Sequence, residues 1–151
     1  MIRIVAVGKK HEQWVLDGIG RYEKRLKKPF DVQWVLLPHS SFEADRARQE
    51  ESGRILSRLR DDDFVVLLDE RGNNIDSPAL SALIEAEVSH SRQVVMIIGG
   101  AYGVDERIHQ RADFIWSLSK LVFPHQLVRL ILTEQLYRAQ EIVQGGGYHH
   151  K

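Results

Sequence analysis

The sequence predicts one α/β domain, a mostly parallel β-sheet flanked by helices, and three observations carry that prediction. Five short apolar, β-branched runs alternate with longer stretches of helical period. Continuous apolar runs of this length suit strands buried on both faces. Strands that alternate with helices need crossover connections, which make a sheet parallel and lay helices over it. Finally, 151 residues suffice for one core but not for two, and no repeat, linker or composition shift divides them, so the expected domain runs from 1 to 151.

The elements follow in order. Ile2–Val7 is the first strand; it has neither the basic n-region nor the cleavage site of a secretion signal. His11–Lys28 is helical in period, and Val32–Leu37 is the second strand. Phe42–Arg60 forms the second helix and Phe64–Leu68 the third strand. Ser77 reads as an N-cap with Pro78 at the first helical position, opening a helix that runs to Ser89. Val94–Ile98 is the fourth strand, Asp105–Arg111 a short helix, Phe114–Leu118 the fifth strand and His125–Gln144 the last helix.

Composition excludes several classes of function. Lys plus Arg and Asp plus Glu both total 21, so the formal net charge is zero and any nucleic acid must be met by a local patch. With no Cys, disulfides, a Cys nucleophile and Cys-ligated metals are ruled out. The seven His residues show no metal-ligand spacing, so no metal is expected. No stretch approaches the roughly 20 apolar residues of a membrane span, and a cytoplasmic protein is expected.

An open α/β sheet binds ligands beyond the carboxyl ends of its strands. Three of those ends are unusual: Leu68-Asp69-Glu70-Arg71-Gly72, Ile98-Gly99-Gly100-Ala101-Tyr102-Gly103 and Ser117 to His125. Gly99, Gly100 and Gly103 permit a tight turn and a close approach to a ligand. They do not make a dinucleotide fingerprint, which belongs after the first strand and would need Gly at Ile98. The connection Ser117–His125 holds Leu118, Leu121, Val122 and Phe123, either as core packing or as an apolar wall around a flat heterocycle. His125, in the first turn of the last helix, reads as a capping or structural imidazole held neutral by the positive helix end.

The last helix is apolar nearly all round from Leu127 to Leu136, which suits burial against the sheet and against a partner. Arg129 within it is either a buried charge in need of partners or a functional cation. Glu134 and Arg138 are spaced as an intrahelical pair. The end, Gly145-Gly146-Gly147-Tyr148-His149-His150-Lys151, reads either as a frayed terminus or as a hinged arm. Arg21, Lys24, Arg25, Lys27 and Lys28 form a basic helix end, solvated or phosphate-contacting. Arg46, Arg48, Arg54, Arg58 and Arg60, mixed with Glu43, Asp45, Glu50 and Glu51, read as an exposed face.

The block Ser117-Leu118-Ser119-Lys120, Phe123-Pro124-His125-Gln126, Arg129 and Glu134-Gln135-Leu136-Tyr137-Arg138-Ala139, closed by Tyr148-His149, resembles the ribosomal RNA large-subunit methyltransferase H family, minimal SPOUT-class enzymes. The likeness spans the chain, with Ala6-Val7-Gly8-Lys9, the Leu68 strand end and Ile98-Gly99-Gly100 in family order. One departure stands at the end: family members follow the Tyr-His pair directly with a basic residue, whereas here His150 precedes Lys151. The resemblance implies a trefoil-knotted α/β fold, which connection rules alone would discard. It also implies a homodimer packed through the C-terminal helix. The implied reaction is methyl transfer from S-adenosylmethionine to N3 of a pseudouridine in large-subunit rRNA, on assembled ribosomes. By position, Leu68, Gly99, Gly100, Gly103, Leu118, Ser119, Lys120, Leu121, Val122 and Phe123 hold the cofactor.

A sulfonium methyl is already activated, so the enzyme chiefly aligns it with its nucleophile. The imide N3 must lose a proton, which calls for a base or for a cation that stabilises the anion. On this reading His149 is the base, Arg129 the anion or phosphate contact and Tyr148 the residue that holds the target base. The flexible joint and an interfacial helix imply a site shared between subunits. Two rivals remain: a SPOUT enzyme for another RNA such as tRNA, and a non-catalytic module that holds a nucleotide or a protein.

Overall fold

The computed structural model describes residues 1–150. Ten elements alternate along it: β1 (Ile2–Val7), α1 (Gln13–Glu23), β2 (Val32–Leu37), α2 (Ala44–Leu56), β3 (Phe64–Asn73), α3 (Ser77–Ser89), β4 (Val94–Ile98), α4 (Glu106–Arg111), β5 (Phe114–Trp116) and α5 (His125–Val143). The five strands form one sheet in the order β2-β1-β4-β3-β5, and every pairing is parallel. The expected fold class is therefore the observed one.

Strand side chains alternate between faces, so each strand feeds two cores. Ile4, Val66, Met96 and Trp116 pack with Leu80 and Ile84 of α3 and with Leu132 and Leu136 of α5. Val5, Val65, Val95 and Ile97 point the other way, onto Ile55 of α2 and Ile108 of α4. This two-sided burial explains why the strands read as unbroken apolar runs and not as alternating ones.

Several boundaries differ from the sequence expectation; β5, expected to reach Leu118, ends at Trp116. Helix α3 is capped by Asp76, whose carboxylate accepts from the Ala79 amide at 2.8 Å, and Ser77 lies inside the helix, donating to Gln135 Oε1 at 2.7 Å. Both residues are good caps, and the longer-range partner in α5 claimed the serine. Strand β3 runs past Leu68 to Asn73, with an irregularity between them that lets Asn73 pair with Trp116. Helices α1 and α2 are shorter at both ends than the periodicity suggested.

Helices α1 and α5 lie side by side and run the same way. The Glu12 amide donates to Gln126 Oε1 at 2.9 Å at one end. At the other, the Gln140 side chain accepts from the Lys27 amide (2.7 Å) and donates to the Arg25 carbonyl (2.9 Å). Since α5 spans 19 residues, its two ends stand about 28 Å apart.

Candidate active site

The carboxyl ends of β3, β4 and β5 converge, as the sequence predicted, on one open crevice of about 1610 Å³. Leu68, Gly99, Gly100, Gly103, Leu118, Ser119, Leu121, Val122 and Phe123 all line it. Of the ten expected cofactor residues, Lys120 alone is not among the lining residues; it is exposed.

The glycine turn is built by backbone geometry. Gly103 has φ +74°, and its amide donates to the Gly100 carbonyl at 3.0 Å. A Cβ on Gly99 would meet Val104 Cγ1 at 3.0 Å and the Gly103 backbone at 3.3 Å, so a larger residue there deforms the turn from within. A Cβ on Gly100 would lie 2.6 Å from Glu51 Oε1.

The connection after β5 is pinned by polar contacts. The Ser117 amide donates to the Asn73 carbonyl at 2.9 Å and Asn74 Nδ2 donates to the Ser117 carbonyl at 2.6 Å, both partners coming from the extension of β3. The Leu121 amide donates to Ser119 Oγ at 3.0 Å. Leu121 and Val122 are 70% and 77% exposed and line the crevice. Of the two sequence readings of this loop, core packing therefore fails for these residues, and the apolar wall fits them.

Charge around the crevice is predominantly acidic: Asp69, Glu70, Asp105 and Glu106 line it against Arg48 and Arg71. Asp69 pairs with Arg71 at 2.8 Å, and Arg71's hydrogen bond to it holds the carboxyl below its ordinary value. Asp105 pairs with Arg107 at 2.7 Å. The surplus carboxylates favour a cationic ligand and disfavour one rich in phosphate.

Arg129 is fully buried. It donates to the carbonyls of Val7 (3.0 Å), Gly8 (3.1 Å) and Lys10 (3.0 Å), and its Nη1 lies 3.2 Å from His11 Nδ1. In this structure the guanidinium is held by backbone carbonyls and does not line the crevice. Its geometry is that of a residue that fixes the end of β1.

Tyr148 and His149 lie at the far end of α5 from their own crevice. The Tyr148 ring meets Tyr137 edge-on at 4.8 Å between centroids, with the Arg138 guanidinium 4.8 Å from its centre. Arg138 Nη1 approaches His149 Nδ1 at 3.2 Å, and Glu134 pairs with Arg138 at 2.8 Å. The last residues described are thus docked on α5 and not frayed, while Gly145 takes φ +70° at the joint.

A family model described as "Predicted SPOUT methyltransferase" matches residues 1–149. Proteins named Ribosomal RNA large subunit methyltransferase H from Acetivibrio thermocellus and Dictyoglomus thermophilum are 38% and 37% identical to the chain. The alignments cover 98% and 99% of both partners, respectively. The chain belongs to the ribosomal RNA large subunit methyltransferase H family. A crystal structure of a methylase-family protein from Neisseria gonorrhoeae, 12% identical, matches 91% of the chain and 81% of its own with a TM-score of 0.52, a likeness of fold alone.

In this SPOUT methyltransferase, sequence reasoning missed a polar cluster beyond β1 and β4. Glu51 was placed on an exposed face, yet it is 4% exposed; its Oε2 accepts from the Ser40 amide at 2.9 Å and lies 4.0 Å from His39 Nδ1. Glu51 shares its face of α2 with Ala47 and Ile55, both buried, a spacing of four that the surrounding mixed charges obscured. His109, on α4, was also passed over; it lines the crevice with Nε2 3.5 Å from Asp69. Among the described residues no cluster of His, Asp and Glu is suited to a metal, and no helix is long and apolar enough to cross a membrane.

Two half-buried imidazoles of the methyltransferase give its stability a pH dependence. His11 and His125 both titrate below the ordinary histidine value, chiefly through burial and then through Arg129; His39 adds to the effect at His125, and Glu51 opposes it. Because the folded values are depressed, their contribution is complete above about pH 6.5 and is lost as the pH falls through the folded values. Unfolding free energy from urea titrations should therefore fall on acidification below about pH 6.5. His125→Gln should flatten that slope, and an unchanged slope would remove His125 from the account.

Proposed function

We propose that this methyltransferase transfers the methyl group of S-adenosylmethionine to N3 of a pseudouridine in large-subunit rRNA, on the assembled ribosome in the cytoplasm. The relatives' name supplies the RNA class. The single structural observation that carries the cofactor is the crevice itself, in which an apolar wall and a glycine turn meet a surplus of carboxylates. That lining suits an adenosine carrying a cationic sulfonium. We further propose that residues 1–151 act as one domain, that α5 threads a loop of the chain as a trefoil knot, and that two copies pair through α5.

The cofactor supplies an activated methyl group, which leaves alignment and proton removal to the protein. Leu118, Leu121, Val122 and Phe123 cover the faces of the heterocycle, and the backbone around Gly99–Gly103 and Ser119 reads its edges. His149 accepts the N3 proton and Tyr148 holds the target base. In the docked arrangement Arg138 donates to His149 Nδ1, the one lone pair a neutral imidazole offers when Nε2 carries the proton. His149 must leave Arg138 to act as a base, and the glycine joint permits that movement. Arg129 is a positioning residue: by holding the Val7, Gly8 and Lys10 carbonyls it sets the floor beside the crevice.

The deciding experiment is mass spectrometry of large-subunit rRNA from cells with and without the gene. Loss of one methyl group from a pseudouridine is expected, and an unchanged methylation pattern overturns the reading in favour of another RNA or of a binding module. A second measurement addresses the cofactor. Gly99→Val presses on Val104 and Gly103, and calorimetry should show S-adenosylmethionine affinity reduced by at least about tenfold with the fold retained, about the cost of one methylene's misfit. Unchanged affinity would place the site elsewhere.

A further inference from the structure

The basic end of α1 lies at the same end of the molecule as the tail. Gln140 of α5 is bonded to the Lys27 amide and the Arg25 carbonyl, Tyr22 meets Tyr137 at 5.8 Å, and Tyr137 meets Tyr148. Arg21, Lys24, Arg25, Lys27 and Lys28 are all exposed there, and none has a carboxylate within ion-pair distance among the described residues. The one acid among them, Glu23, is engaged by the Trp34 indole at 2.6 Å. In a chain of zero net charge this is a local surplus of four positive charges. A polyanion that runs over the surface suits it.

We infer that this patch binds RNA phosphates for the partner subunit's crevice and not for its own. The inference rests on the two-subunit reading proposed above. The patch is rooted with the tail, and the chain's own crevice opens toward the other end of α5, about 18 Å along the helix from Gln140 to Val128. Whatever copy receives Tyr148 and His149 in its crevice therefore also receives Arg21, Lys24 and Arg25 at its rim. The patch then holds the RNA strand flanking the base that the same tail presents.

Heterodimers of two differently tagged chains test this. One chain lacks Tyr148 to Lys151 and keeps its crevice; the other carries Gly99→Val and keeps its tail, so each heterodimer has one complete site. The triple replacement Arg21→Ala, Lys24→Ala and Arg25→Ala is then placed in one chain or the other. In the tail-donating chain it should lower kcat/KM on ribosomes about tenfold and make the log–log salt dependence shallower by roughly two to three. In the crevice-bearing chain it should change neither. Equal effects from both chains, the reverse pattern, or no effect at all overturns the inference. If the heterodimer without charge substitutions forms but is inactive, the two-subunit reading itself fails, and this inference with it.

Discussion

Deleting Tyr148 to Lys151 should leave S-adenosylmethionine binding nearly intact and abolish methyl transfer. No described residue of the tail lines the crevice, so the cofactor contacts survive the deletion. What is lost is the proton acceptor and the aromatic face, and a general base alone is worth about 10²–10⁴ in rate. The geometry of α5 sets the second half of the prediction. The tail is docked on Tyr137 and Arg138, about 15 Å along α5 from Val128 at the crevice, and in the proposed pairing through α5 a second copy is the recipient. Mixing the truncated chain with full-length Gly99→Val chain should therefore restore methylation, because one of the two sites then has an intact crevice and a tail supplied in trans. Methylation assays on ribosomes, with the heterodimer isolated by its two tags, measure this directly. An inactive heterodimer shows that the tail serves its own subunit.

Replacing Arg129 with Leu should cost about 3–5 kcal/mol of stability, a large share of the total for a domain of this size. The buried carbonyls of Val7 and Gly8 lose this donor at once, while that of Lys10 keeps Gln126 Nε2 at 3.1 Å, and each unsatisfied buried group costs roughly 1–3 kcal/mol before relaxation. The Arg129 side chain is also packed against Gly8, where a Cβ would come within 2.9 Å of Nη2, so the backbone there is shaped around it. Urea unfolding monitored by tryptophan fluorescence gives the number. A loss under about 1 kcal/mol would fit a solvated surface cation and return Arg129 to the list of RNA contacts. Arg138→Ala should behave oppositely. Its pair with Glu134 is intrahelical and partly buried, worth a few tenths of a kcal/mol, while its hold on Tyr148 and His149 is lost, so activity falls with little change in stability.

The strands were legible because burial on both faces writes itself into five continuous apolar runs. The crevice followed from the parallel order of those strands, since Leu68, Gly99 and Leu118 lie at or near the carboxyl side of adjacent ones. Arg129 shows where local reading stops. Its position on an apolar helix marked it as unusual, but its partners lie 119 to 122 residues earlier in the chain, and nothing near it distinguishes a buried tie from a functional cation. Glu51 is the same case in reverse: a charge in a mixed-charge segment that the fold packs beside Gly100, 49 positions away in the chain.

Periodicity, turn chemistry and residue order are local properties, and they sufficed for the fold class, the position of the crevice and the family. Contacts between distant segments decided the rest. Packing of α1 beside α5 placed the basic patch with the tail, and the length of α5 carried both away from the chain's own crevice. The extension of β3 to Asn73 pinned the apolar wall, and the close approach of α2 to the glycine turn buried Glu51. The physical reason is that side-chain period depends on a residue's nearest neighbours, whereas burial and hydrogen-bond partnership depend on which surfaces the whole chain brings together.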